Sequence, residues 1–154
     1  MLKDIGKNLL IGLIYLLFAA PMMLYGLSSG IAAPIWPASG IALFAIMRYG
    51  YKVIPGIFFG AVASSYGMSI ASNMDVSIQL SLFSIITGIG NVLESVIIIE
   101  LLGKSDYYSI LTNSKRTFRF FGAALVGTLA SAACGTFYLP ILEHSTILIF
   151  TAEL

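Results

Sequence analysis

Long apolar runs separated by short polar segments dominate the sequence. A helix needs about 20 predominantly apolar residues to cross the hydrocarbon core of a bilayer. Runs of this kind predict five membrane spans, at residues 8–27, 39–49, 53–71, 78–103 and 117–139. The second run is short, and it reaches a spanning length only with a contribution from the preceding segment IAAPIWPA. We therefore predict an all-α fold, a polytopic transmembrane helix bundle of about five spans, forming a single membrane domain over residues 1–154.

The basic residues are segregated between the predicted loops. If the N-terminus is cytoplasmic, all eight Lys and Arg residues fall on the cytoplasmic side: Lys3, Lys7, Arg48, Lys52, Lys104, Lys115, Arg116 and Arg119. The opposite loops carry Asp75, Glu143 and His144 and neither Lys nor Arg. This asymmetry is what the positive-inside rule describes, and it predicts a cytoplasmic N-terminus. The first run is longer than the apolar region of a secretory signal, so we interpret it as a retained span.

Composition narrows the class of protein. Of 154 residues 58% are hydrophobic and only 10% are charged, and the mean hydropathy of +0.97 is typical of a membrane protein. A formal net charge of +1 gives no basic field for nucleic acid, so no nucleic-acid partner is expected. One cysteine and one histidine leave no metal-ligand cluster. No catalytic constellation is visible, and we expect a non-enzyme without metal or cofactor.

The segment PIWPASG at residues 34–40 interrupts the apolar pattern at the start of the second run. Pro34 and Pro37 lack an N–H and push the residues before them towards extended backbone, so the second helix should begin at or just after Pro37. Two interpretations stay open. Trp36 is either an aromatic anchor at the outer headgroup level, or part of a half-inserted loop whose polar groups, with Ser39, line a ligand pocket.

Polar residues recur within the fourth predicted span. Thr87, Asn91, Glu94 and Ser95 are spaced by three or four residues, which places them on one face of a helix. A lipid-facing carboxylate at mid-span costs several kcal/mol, so Glu94 is expected to point into the bundle. A ligand or proton role and a purely structural role as a polar packing contact are equally open for it.

Small residues recur every four positions on the third and fifth spans. They predict close helix packing, within the chain or between two copies of it, at Gly56, Gly60, Gly127, Ser131 and Gly135. The basic cluster before the fifth span suits anionic lipid headgroups, with an effector-contact surface as the alternative.

Three segments carry a resemblance to a known family. PIWPASGIALFAIMRYGYKVIPGIFFGA (residues 34–61) resembles the opening signature of the MASE1 domain, with its W-P-x-[ST]-G entry and a later P-G-[IV]-[FW]-[FL]-G-A element. GIGNVLESVIIIELLGK (88–104) and TFRFFGAALVGTLASAACGTFYL (117–139) are similar to the blocks that follow in that family. The resemblance implies a bacterial inner-membrane sensory domain, which usually has about eight spans and precedes a histidine kinase, diguanylate cyclase or PAS module. With about five spans and no effector module, the chain is expected to be an incomplete domain of this type.

These observations favour a sensory, signal-input domain in the bacterial inner membrane that binds an unknown ligand or partner and biases helix packing. The expected ligand or signal residues are Trp36, Pro37, Ser39, Asn91 and Glu94. The alternatives are a small transport or channel component that uses Glu94, and a structural assembly subunit. Besides the lipid bilayer, the partners left open are another membrane subunit, a cytoplasmic signalling effector, and a second copy of the chain in a homodimer.

Overall fold

The computed structural model describes residues 2–29, 36–71, 77–103, 110 and 112–136. Within these residues the chain forms five α-helices and a 3-10 turn and contains no strand, which confirms the predicted all-α class for this part of the chain. The helices are α1 (Leu2–Ser29), α2 (Pro37–Tyr49), α3 (Ile54–Ala71), α4 (Ile78–Leu102) and α5 (Ser114–Thr136), with the 3-10 turn Tyr51–Val53 joining α2 to α3. The end of the predicted fifth span, residues 137–139, and the loop residues Asp75, Lys104, Glu143 and His144 lie outside the described residues.

Four of the described helical segments are long and apolar enough to cross a membrane: Lys3–Ser29, Tyr51–Ala71, Ile78–Leu102 and Ser114–Thr136. Helix α2 has 13 residues, and at about 1.5 Å per residue it extends only about 20 Å. The hydrocarbon core is about 30 Å thick. The run predicted as the second span is therefore a helix too short to cross a membrane by itself.

Local sequence sets both ends of α2. Pro37 occupies its first position, where the missing N–H removes no intrahelical hydrogen bond. At the other end, Gly50 adopts a φ of 75°, and its N–H bonds to the carbonyl of Ile46. That backbone conformation favours glycine and ends the helix. The two stops hold α2 to about two-thirds of the length of a span.

Helices α1 and α3 lie side by side and run in the same direction. Asn8 lies against Gly56 near their first turns, and the Met23 side chain lies near Gly67 towards their other ends. The chain must therefore return along the bundle between α1 and α3, and α2 forms part of that return. Helix α2 packs on both α1 and α4.

The remaining helices pack in chain order, with α4 between α3 and α5. Gly88 of α4 lies against Phe58 of α3, while Gly90 lies within van der Waals reach of Cys134 of α5. Helix α5 is at the edge of the described bundle, since only Ala123 and Gly127 are buried on it. Its large apolar side chains are exposed, a surface that suits acyl chains.

The basic residues of the described chain gather at one end of the bundle. Asn8 donates to the carbonyl oxygen of Lys52 at 3.0 Å, which joins the start of α1 to the turn before α3. Tyr51 in the same turn donates to Glu100 near the end of α4, and α5 begins close to that end. Lys7 and Arg48 both lie over the ring of Tyr49, at 5.8 and 5.3 Å from its centroid. The described basic residues that the orientation prediction places on one side of the membrane thus lie at the same end of the bundle.

Candidate functional site

Helix α2 begins in the middle of the bundle. The Trp36 Nε1 atom donates to the Tyr15 hydroxyl at 3.3 Å, and that hydroxyl donates to Asn91 Oδ1 at 2.9 Å. Tyr15 lies near the midpoint of α1 and Asn91 near the midpoint of α4. Trp36 therefore lies at the level of the helix centres and not at the helix ends.

The direction of this hydrogen-bond chain follows from its first member. An indole N–H can only donate, so the Tyr15 oxygen accepts from Trp36 and passes its own proton towards Asn91. The Asn91 oxygen must then face Tyr15, and its Nδ2 faces the carbonyl of Thr87, to which it donates at 2.9 Å. Tyr15 is fully buried, at 0% exposure, so the two hydrogen bonds of its hydroxyl satisfy a group that water cannot reach. The network fixes one orientation for the Asn91 amide.

Glu94 belongs to a neighbouring but separate contact. Its two carboxylate oxygens accept from Ser39 Oγ of α2 at 3.2 Å and from Thr128 Oγ1 of α5 at 3.4 Å. Its side chain is partly buried. Glu94 thus faces α2 and α5, while Asn91 faces α1. Asn91 and Glu94, predicted to share one face of α4, therefore have different neighbours.

A cavity of about 150 Å³ lies beside Trp36 and Asn91. Its polar lining comes from α3 and α4, namely Ser64, Ser65, Ser69, Thr87 and Asn91, and its apolar lining includes Phe83 and two methionines. The Ser64 and Ser69 hydroxyls donate to backbone carbonyls of their own helix. Their oxygens can still accept a hydrogen bond from another group. The cavity therefore combines polar and apolar walls at the level where α2 begins.

Two buried hydroxyls of α4 have no hydrogen-bond partner within the described residues. They are Ser84 Oγ and Thr87 Oγ1. Leaving such a group unpaired costs about 1–3 kcal/mol. Thr87 lines the cavity, so a molecule there could satisfy its hydroxyl.

The predicted packing residues differ in what they contact. A Cβ on Gly56 would meet backbone atoms of Asn8, with the Cα at 2.9 Å, and one on Gly60 would lie 3.0 Å from the Gly12 carbonyl oxygen. A Cβ on Gly127 would lie 2.9 Å from the Glu94 carbonyl oxygen.

The last two predicted packing positions lie further along α5. Ser131 is close to Gly90, where an added Cβ would lie 3.2 Å from the Ser131 carbonyl oxygen. Gly135 faces open space, with nothing within 4 Å of an added Cβ, so it takes no part in a seam within the described chain. Packing of Gly135 between two copies stays a prediction.

The sequence reasoning missed several residues of the site and its support. Tyr15 links α2 to α4, Asn8 bonds α1 to α3, and Gly12 completes the α1–α3 contact. The available signal was their polarity or small size within the otherwise apolar first run. That signal does not reveal the partner, which comes from another helix.

Fold and composition together define the class of protein: an α-helical membrane protein whose described residues include four helices long and apolar enough to span the bilayer. Comparisons with protein-family models, with curated proteins and with solved structures find no match to this chain.

Proposed function

We propose that the chain is the signal-input part of a MASE1-type sensor, located as a multi-pass protein in the bacterial inner membrane with its N-terminus in the cytoplasm. The grouping of basic residues at one end of the bundle supports this orientation. Helix α2 would form part of a fifth crossing. The effector would be a kinase or cyclase module, either in a longer form of the chain or in a separate subunit.

One observation carries the proposal: α2 begins in the middle of the bundle, held there by side chains and next to a cavity. Helices interrupted at mid-depth expose backbone groups to the interior, an arrangement that membrane proteins use to bind ligands. Trp36 is at the same time the residue that precedes α2, a partner of Tyr15, and part of the cavity wall. A ligand touching Trp36 would act directly on the position of α2.

The resemblance to MASE1 domains supports the same site. The W-P-x-[ST]-G element contains Trp36 and Ser39, and the G-N-x-L-E element contains Asn91 and Glu94. These two elements come together at the start of α2, through the Tyr15 bridge in one case and the Ser39–Glu94 hydrogen bond in the other. The two motifs therefore lie next to each other in the fold, and they follow one another along the chain in the same order as in the family.

In this mechanism a ligand shifts an equilibrium between two packings of α2 against α4 and α5. It can do so only by as much as its affinities for the two packings differ. The contacts at the start of α2 suit such a change. Their hydrogen bonds in the middle of the bundle are between side chains, and a small rotation of α2 can exchange the bonded partners. Movement of α2 would pass through the turn after Gly50 to α3, at the end of the bundle where a cytoplasmic effector would lie.

A distance measurement tests the proposal. Cysteines replacing Phe44 of α2 and Leu125 of α5, which are 52% and 64% exposed, carry spin labels in a Cys134→Ala background. In nanodiscs, an activating metabolite should change the label distance distribution, and Trp36→Phe should reduce that response. An unchanged distribution with every compound that demonstrably binds would refute the sensor.

A second function is favoured by the surroundings of Glu94. Both of its carboxylate oxygens accept from hydroxyls, and within the described residues no basic side chain forms an ion pair with it. A proton or small cation could provide the missing positive charge, as in a transport or channel component. The test is proton or cation flux in proteoliposomes. A flux that disappears in Glu94→Gln but persists in Glu100→Gln would establish this function instead.

A further inference from the structure

The described walls of the cavity beside Trp36 carry no formal charge. Its described lining consists of hydroxyl, amide, aromatic and thioether side chains, and neither Glu94 nor any basic residue is among them. A charged group that enters such a site unpaired loses its hydration without compensation. The described walls therefore favour an uncharged occupant.

Hydrogen-bonding capacity remains at one wall of the cavity. Thr87 Oγ1 is buried and has no partner within the described part of the chain. Asn91 uses its oxygen for Tyr15 and one amide hydrogen for the Thr87 carbonyl, which leaves its second amide hydrogen available as a donor. A hydroxyl or carbonyl oxygen placed here would meet a donor and a hydroxyl within one turn of α4.

The other walls suit an aromatic ring. Trp36 and Phe83 provide ring surfaces, and the sulfurs of Met23 and Met68 provide polarisable contacts of the kind that aromatic rings favour. The volume of about 150 Å³ is that of cavities known to accept benzene. One six-membered ring with a short polar substituent fills this space.

We propose that the cavity binds a small, uncharged aromatic molecule bearing one hydroxyl or carbonyl group, with the ring between Trp36 and Phe83 and the oxygen at Thr87 and Asn91. The inference rests on the proposed sensory function, since it names the ligand class for that site. Selectivity follows from the unpaired Thr87 hydroxyl, because a ring without a polar group leaves it unsatisfied.

Phenol, benzene and benzoate are matched probes, since they share the ring and differ in hydrogen bonding and charge. The chain has one tryptophan, so its fluorescence, excited where phenol does not absorb, reports on the cavity wall alone. In nanodiscs, phenol should change the emission of Trp36 with a saturable curve, benzene should bind more weakly, and benzoate should not saturate. Thr87→Val keeps the side-chain shape and should weaken phenol roughly three- to ten-fold while leaving benzene unchanged.

Thr136→Val is the matched control, because the Thr136 hydroxyl is exposed on α5 and bonds only to carbonyls of its own helix. It should leave phenol binding at the wild-type value. A linear, unsaturable response to phenol would show simple partitioning into lipid and overturn the inference. Equal effects of Thr87→Val and Thr136→Val, or tighter binding of benzoate than of phenol, would also overturn it.

The spin-label distance separates this inference from the proposal on which it rests. Saturable phenol binding that depends on Thr87 without any change in the Phe44–Leu125 distance would keep the ligand class and refute the sensor. A distance change with charged metabolites, together with no saturable phenol binding, would refute the ligand class and keep the sensor.

Discussion

The α1–α3 seam and the start of α2 are both contacts between helices, but they are held together differently. In the seam, glycines let the two backbones touch, and a Cβ on Gly56 would overlap backbone atoms of Asn8. At the start of α2, the helices are joined by side-chain hydrogen bonds from Trp36 and Ser39, and a cavity remains between them. In the first contact backbone meets backbone, and in the second the helices are joined by side chains beside a cavity.

This difference assigns the seam to stability and the start of α2 to function. Close backbone packing cannot adjust without separating the helices, so the seam fixes α1 against α3. Side-chain hydrogen bonds within a bilayer contribute only about 0.6 kcal/mol on average, so the position of α2 can change at little energetic cost. Substitutions in the seam are therefore expected to act on folding, and substitutions around α2 mainly on Trp36 and its ligand.

The largest expected effect is at the closest point of the seam. Gly56→Ala places a methyl group against the Asn8 backbone, where no side chain can move aside, and should lower the free energy of unfolding by about 3 kcal/mol. Gly135→Ala is the control, because nothing lies within 4 Å of its added Cβ. Unfolding titrations in mixed detergent micelles measure the stability of both variants. Equal stabilities would contradict the close contact between Gly56 and the Asn8 backbone.

A smaller effect is expected from the side chain that supports the seam. Asn8 Oδ1 accepts from the Gly56 N–H at 2.7 Å, and Asn8 Nδ2 donates to the carbonyls of Asp4 and Lys52. That N–H lies in the first turn of α3 and has no partner within its own helix. Asn8→Ala should therefore lower the free energy of unfolding by about 2 kcal/mol.

Asn8→Asp provides the comparison, since it keeps an acceptor for Gly56 and places negative charge at a helix N-terminus. It should recover part of the stability in the same titration. An aspartate variant no more stable than the alanine variant would show that the Gly56 hydrogen bond does not matter.

The smallest stability effect is expected at the bridge between α2 and α4. Tyr15→Phe removes the hydroxyl that joins Trp36 to Asn91 and should cost about 1 kcal/mol. The emission of Trp36 should shift, since its N–H loses its acceptor. Tyr25→Phe, on an exposed part of α1, should change neither quantity. If both variants shift the emission equally, Trp36 does not contact Tyr15.

Much of the fold was predictable because hydropathy and helix-stop signals act locally. The prediction of residues 78–103 corresponds to α4, Ile78–Leu102, and Pro37 correctly marked the start of α2. The position of α2 within the bundle was not predictable, because it depends on Tyr15, a residue from another helix. For the same reason the spacing of Gly127 and Gly135 did not distinguish a packed glycine from one in open space.

The depth of Trp36 in the bilayer shows whether α2 begins in the middle of the membrane. Because it is the only tryptophan, quenching by lipids brominated at different acyl positions reports its depth without interference. We predict weak quenching that is strongest for bromines near the bilayer centre. Strongest quenching by bromines next to the headgroups would place Trp36 at the interface and contradict a helix that begins in the middle of the membrane.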